Sequence, residues 1–249
     1  MSRRALAFVL AAAALVPGAA PASSEQSPRL TVFAATSLTQ IFPLIDNRPR
    51  YQFAGSDQLA FQIQQGAPTD VFAAASPKYP ELLYKQGLVQ KPIQFATNTL
   101  VLIVPKSNPA NIHSVFDLTK PGVKVVIGDS TVPVGSYTRT VLNNLGISAA
   151  VMSNVVSQAT DVKQIVIAVA TGEADAGFVY VTDVKPVLGK VGVIRIRDSA
   201  QPHVVYEVAV VKSSKNLRAA YAFVTRLIRP RAQHQLVQYG FGPRPKPQP

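Results

Sequence analysis

FAGSDQLAFQIQQGAPTDVFAAAS, residues 53–76, decides the fold. Residues 50–54 (RYQFA) read as a strand that runs into Gly55. Ser56-Asp57-Gln58 then opens a helix that carries Leu59 and Ile63 on one face and stops at Gly66, the usual residue beyond a helix end. Residues 70–75 (DVFAAA) carry no charge after Asp70 and read as a strand buried on both faces. Strand, helix and strand at this spacing make a βαβ unit, which requires a parallel pair with its helix packed on the sheet.

The same pattern extends both ways. Upstream, residues 29–35 predict a buried strand, and Ser37 with Gln40 forms an S-x-x-Q capping box for a short helix ending near Ile45. Downstream, residues 79–86 predict a helix stopped by Gly87, and residues 98–104 (NTLVLIV) a buried strand that closes the first unit. A second unit follows. Its strands are expected at 123–128, 175–180, 191–196 and 206–211, with helices at 115–118, 136–145, 162–172, 217–228 and 231–239. Asp161 and Gln164 cap the helix from residue 162. Proline-rich residues 244–249 are expected to form a frayed tail.

Composition narrows the function. Of 249 residues, 47% are hydrophobic and 15% charged, which describes a globular chain. There is no cysteine, so thiol chemistry, disulfides and a lipobox anchor are excluded as expectations. The three histidines, His113, His203 and His234, lack metal-ligand spacing. Twenty-five Lys and Arg against 13 Asp and Glu give +12, which suits a nucleic-acid binder or a protein that handles anions. Residues 1–22 hold a basic start, an apolar run at 5–16 and small residues to Ala22, the order of a cleavable secretory signal. Its removal leaves +10 on an exported chain. Export and the lack of aromatics interleaved with a basic patch argue against nucleic acid.

Four junctions share a chemistry. Thr36-Ser37, Gly55-Ser56, Val134-Gly135 and Asp161-Val162 each lead into a helix start, where unpaired N–H groups and about half a positive charge can cradle an oxyanion. In an open α/β sheet such starts gather where ligands bind. The alternative is that each Ser or Asp is only an N-cap.

Beyond these junctions, TVFAATSL (31–38), the 53–76 stretch, VPVGSY (132–137) and DAGFVYVTD (175–183) resemble the bacterial periplasmic molybdate-binding proteins of ABC transporters, in the family's order and from Leu30 to Phe241. The resemblance implies an α/β, two-lobed periplasmic-binding-protein fold: each lobe a mostly parallel sheet flanked by helices, joined by a two-crossing hinge. Lobe one would comprise 29–99 and 206–243, and lobe two 100–205. It implies molybdate or tungstate as ligand, held by hydrogen-bond donors to the oxyanion with no direct ligand to the metal and no cofactor. Ser37 and Ser56 would give hydroxyl and N–H, Val134 and Val162 their N–H, and Tyr180 its phenol. It further implies a monomeric periplasmic protein that is not an enzyme, binds no nucleic acid and delivers its anion to an inner-membrane permease, and the missing lipobox cysteine argues for a free protein over a tethered one.

Two departures stand out besides the missing lipobox: the segment between Ser37 and Ser56 is short, and Phe61 stands where arginine is common. The rivals are another oxyanion on the same fold, ferric iron held by paired tyrosines and carboxylates, or a secreted hydrolase. Glu207 or Asp161 would supply carboxylates to a tungstate variant of the site. A hydrolase would need a nucleophile with a positioned base, and no GxSxG motif is present.

Overall fold

Two five-stranded sheets, crossed by the chain twice, organise the molecule in the computed structural model, which describes residues 29–246. The expected signal at 1–22 and the last three residues of the expected tail lie outside the described residues. The first pass lays down β1 (Thr31–Ala35), α1 (Phe42–Ile45), β2 (Arg50–Ala54), α2 (Ser56–Gln64), β3 (Val71–Ala74), α3 (Lys78–Lys85) and β4 (Ile93–Asn98). The second holds β5 (Leu100–Pro105), β6 (Val125–Gly128), α4 (Pro133–Asn144), α5 (Ser148–Met152) and β7 (Val155–Ala159). It continues with α6 (Val162–Ala170), β8 (Ala176–Tyr180), α7 (Val181–Val184) and β9 (Val191–Arg195). The chain then returns through β10 (Val204–Val210), α8 (Leu217–Leu227) and α9 (Pro230–Tyr239). No helix among the described residues is long and apolar enough to cross a membrane.

The strand orders are β2-β1-β3-β10-β4 and β7-β6-β8-β5-β9. Each sheet is mostly parallel as expected, with four of its five strands running one way and one inserted strand running against them. β1 pairs in parallel with β2 and β3, and β6 with β7 and β8; β10 and β5 pair antiparallel with both their neighbours. The reason is the crossing. A strand that enters a sheet from the other one starts at the seam and runs away from it, while the βαβ strands run towards it. β5 and β10 are those entering strands.

The expected single strand at 98–104 is therefore cut. Asn98 ends β4 in one sheet and Leu100 begins β5 in the other. The Asn98 carboxamide oxygen accepts the Thr99 N–H (2.9 Å), which fixes the turn. Gln201, on the return crossing, accepts the Leu100 N–H (3.0 Å) and donates to the Leu100 carbonyl (2.7 Å), so the two crossings are laced together. β4, α5 and β7 are elements that the sequence pattern did not predict.

The short segment after Ser37 is pinned by its own residues. Phe42 is fully buried and packs edge-on against Phe223 of α8, with centroids 5.7 Å apart; such burial contributes about 1.5–3 kcal/mol. Asp46 bonds both Arg48 and Arg226, while its carbonyl accepts the Tyr51 hydroxyl (2.5 Å). At the other end of the chain, Arg244 is held where fraying was expected: its Nε donates to the Gln94 carbonyl (2.9 Å).

Candidate functional site

The βαβ strands of both sheets end at one small cavity. From the first sheet come Ala35 and Ser37 after β1, Gly55 and Ser56 after β2, and Ala75 after β3. From the second come Val132, Pro133 and Val134 at the start of α4, Asp161 and Val162 at the start of α6, and Tyr180 at the end of β8. Ser37, Ser56, Val134, Val162 and Tyr180 are thus brought together from across 143 positions of sequence. Each is at least 95% buried. The space left for the centre of a water-sized sphere is ≈10 Å³, about what a single water needs.

Local sequence explains the convergence. Pro133 takes the first turn of α4, where its missing N–H is no loss. A Cβ on Gly135 would collide with the carbonyls of Gly128 and Asp129, so only glycine lets this helix start sit on the end of β6. Asp161 caps α6 as its D-x-x-Q spacing predicts, accepting from the N–H groups of Lys163 (2.7 Å) and Gln164 (3.3 Å). The Ser37 capping box does not form. Ser37 lies inside the 3-10 turn Thr36–Leu38, whose N-cap is Ala35, and α1 starts only at Phe42; the Ser37 hydroxyl faces the Tyr206 hydroxyl at 2.9 Å.

The donors can be counted from bond polarity. The N–H groups of Ser37, Ser56, Val134 and Val162 bond no acceptor among the described residues. Asn98 donates through Nδ2 to the oxygens of Thr182 (2.9 Å) and Tyr206 (3.4 Å). Tyr206 can then give its own proton to Ser37 Oγ, an arrangement that leaves the Ser37 proton free for the cavity. Ser56 Oγ accepts the Ala75 N–H (3.2 Å), which frees its proton in the same way. The Tyr180 hydroxyl is fully buried and has no partner at all among the described residues. Burial holds both Tyr180 and Tyr206 well above the ordinary phenol range, so both remain protonated donors.

Acceptors are scarce by comparison. The Asp161 carboxylate is engaged with its own helix, and Glu207 does not line the cavity. Glu207 lies buried on β10, accepts from Gln94 (3.4 Å) and is pushed up to about 7 by burial. Tyr206 is the residue that sequence reasoning missed: β10 sets its ring beside Tyr180, centroids 5.8 Å apart. That is the tyrosine pair an iron site would use, but the Tyr206 hydroxyl is already bonded. Among the described residues no group of three His, Cys, Asp or Glu could hold a metal ion.

The cleft is shut by contacts between the two sheets' loops. Tyr79 of α3 donates to the Thr131 carbonyl (2.7 Å), and the Thr131 hydroxyl lies 3.0 Å from Asp57 of α2. A Cβ on Gly55 would stand 2.6 Å from the Thr160 carbonyl, so glycine permits the close approach there.

Known proteins share the sequence pattern and the fold. Residues 46–242 match the family model described as bacterial extracellular solute-binding protein. The chain is 38% identical over 236 residues to the molybdate-binding protein ModA of Mycobacterium tuberculosis, covering 90% of this chain and 89% of the relative. It is 30% identical over 253 residues to the molybdate-binding protein ModA of Escherichia coli, covering 94% and 96%. The solved periplasmic molybdate-binding protein of Azotobacter vinelandii shares the fold with a TM-score of 0.76 at 23% identity, over 88% of this chain and 100% of that one.

Proposed function

The chain belongs to the bacterial extracellular solute-binding proteins, and we propose that it captures molybdate, or the isosteric tungstate, between its two lobes and delivers it to an ABC importer. Lobe one is 29–99 with 206–243, and lobe two is 100–205. The anion accepts hydrogen bonds from the hydroxyls and N–H groups of Ser37 and Ser56, the N–H groups of Val134 and Val162, and the Tyr180 phenol. The protein works outside the cytoplasm as a monomer, without a cofactor, and hands the anion to an inner-membrane permease.

One observation carries this reading: a buried, unpartnered Tyr180 hydroxyl points to a missing acceptor in a cavity lined by donors. An unpaired buried hydroxyl costs about 1–3 kcal/mol, so a fold that keeps one has a use for it. Neutral donors and three α-helix starts suffice for a dianion, and the surplus of basic residues steers it in. Binding from both sides favours the closed form, the form a permease would recognise.

The test is a thermal-shift panel on purified protein. At free ligand about 1,000 times Kd, linkage supplies roughly 4 kcal/mol, so molybdate and tungstate should each raise Tm strongly. If both leave Tm unmoved while ferric iron or phosphate raises it, the ligand assignment is wrong.

A further inference from the structure

We propose that the protein has a second anion site, remote from the cleft, that takes a phosphate-bearing molecule. Arg48, Arg226, Arg229 and Arg231 line a cavity of ≈550 Å³ between α1, α8 and the start of α9. Asp46 is the one carboxylate in its wall. Two further hollows of ≈300 and ≈220 Å³ adjoin it and share Arg226.

Asp46 is already committed. It forms a two-bond pair with Arg48 (2.8 Å each) and bonds Arg226. These contacts hold its carboxyl below the usual range, so it stays ionised and anchors both guanidinium groups. Arg229 and Arg231 are exposed, and among the described residues no carboxylate lies within 4.0 Å of either. They flank the first turn of α9, ten residues long, whose Arg231 and Ala232 N–H groups bond nothing among the described residues. The site therefore combines two free forks, two pinned forks and a helix start, all selecting for negative oxygen.

The shape separates this from a solvated basic face. The volume lies in the range of small-molecule sites. Its lining also has an apolar part, Pro43, Leu44 and Ile45, with Leu44 65% exposed. Guanidinium forks pair two-to-two with phosphate oxygens, and the apolar part accepts the carbon body attached to them. A soluble phosphate ester and a phospholipid headgroup share this chemistry.

Two probes distinguish the sources. Inorganic pyrophosphate is titrated by calorimetry into the protein pre-loaded with molybdate, which occupies the cleft. In parallel, binding is measured to phosphatidylcholine vesicles with and without phosphatidylglycerol. The wild type should bind pyrophosphate, anionic vesicles or both, and Arg229→Ala with Arg231→Ala should weaken that binding about tenfold or more. Neither arginine supports the fold, so the variant should melt as the wild type does. Lys190→Ala with Arg195→Ala removes the same charge elsewhere and should leave binding intact. Pyrophosphate binding identifies a soluble phosphate compound; binding to anionic vesicles alone identifies a headgroup. Failure of both probes, or equal loss in the two double variants, overturns the proposal. Because the readout compares arginine variants, it stands or falls apart from the identity of the cleft's anion.

Discussion

Replacing Tyr180 by phenylalanine should move stability and affinity in opposite directions. The ring is fully buried and packs edge-on against Tyr206, and both features survive in phenylalanine. Only the hydroxyl is lost, and that hydroxyl has no partner among the described residues. An unsatisfied buried hydroxyl costs about 1–3 kcal/mol. For a chain of this size each kcal/mol is worth roughly 2–4 °C, so empty Tyr180→Phe should melt a few degrees higher than wild type. With the anion present the sign reverses. A hydrogen bond to a charged acceptor contributes about 1.5–3 kcal/mol, and its loss weakens binding about tenfold to a hundredfold. Differential scanning fluorimetry of empty protein and calorimetry with molybdate read the two effects separately. Wild-type affinity in the variant would remove the hydroxyl from the site. A lower Tm for the empty variant would show that the hydroxyl is satisfied in the unliganded protein, by water in an open cleft.

Tyr206→Phe should cost about tenfold in affinity although Tyr206 does not line the cavity, because Ser37 then loses the donor that fixes its proton towards the ligand; an unchanged Kd by calorimetry would break that relay. Stability should fall as pH rises from about 4 to about 7. Burial raises Asp183 from 3.8 and Glu207 from 4.5, each to about 7, so through that interval the folded chain holds protons that the unfolded chain has released. Below about 4 the sign turns, as Asp46, held low by Arg48 and Arg226, is protonated and its pairing lost. Tm should thus be higher at pH 5 than at pH 8, and Asp183→Asn with Glu207→Gln should flatten the difference; a wild-type Tm that climbs over that range contradicts the assignment.

Local signals carried most of the fold. Residues 50–76 hold β2, α2 and β3 within a residue or two of the reading, since Gly55 and Gly66 bound the helix and the strands carry no charge beyond their first residues. β4 and β7 escaped because Gln94, Thr97, Ser157 and Gln158 interrupt their apolar runs. The break at Thr99 escaped for the opposite reason: β5 is apolar throughout, and nothing in the composition marks where a buried run changes sheets. At the site, helix starts are local and were readable. The Ser37–Tyr206 contact spans 169 residues, and the direction of its protons depends on Asn98 from a third segment. Reading Ser37 as a cap was reasonable by spacing and failed because the helix starts at Phe42, which leaves Ser37 inside a 3-10 turn with its hydroxyl facing Tyr206.

Selectivity follows from what the cavity lacks. Phosphate near neutral pH carries at least one proton, and that proton needs an acceptor. The three hydroxyls turn protons towards the cavity, the four helix-start N–H groups can only donate, and the Asp161 carboxylate is held by Lys163, Gln164 and the Gln164 side chain. Leaving one protonated oxygen unmatched against a donor costs about 1–3 kcal/mol. Sulfate has no proton and the charge of molybdate, so it must be rejected by size. Its shorter bonds draw the oxygens inwards, and donors fixed on two sheets cannot all follow. Two unmade contacts, at about 1–3 kcal/mol each, correspond to a preference of about thirtyfold or more. Competition calorimetry separates the two mechanisms. Phosphate binding should strengthen little as pH rises from 6 to 8, because the dianion still holds a proton, and sulfate should displace molybdate only at large excess. Displacement at comparable concentration would mean that the lobes close further around a smaller anion, and tight phosphate binding would mean that Asp161 leaves its helix to accept the proton.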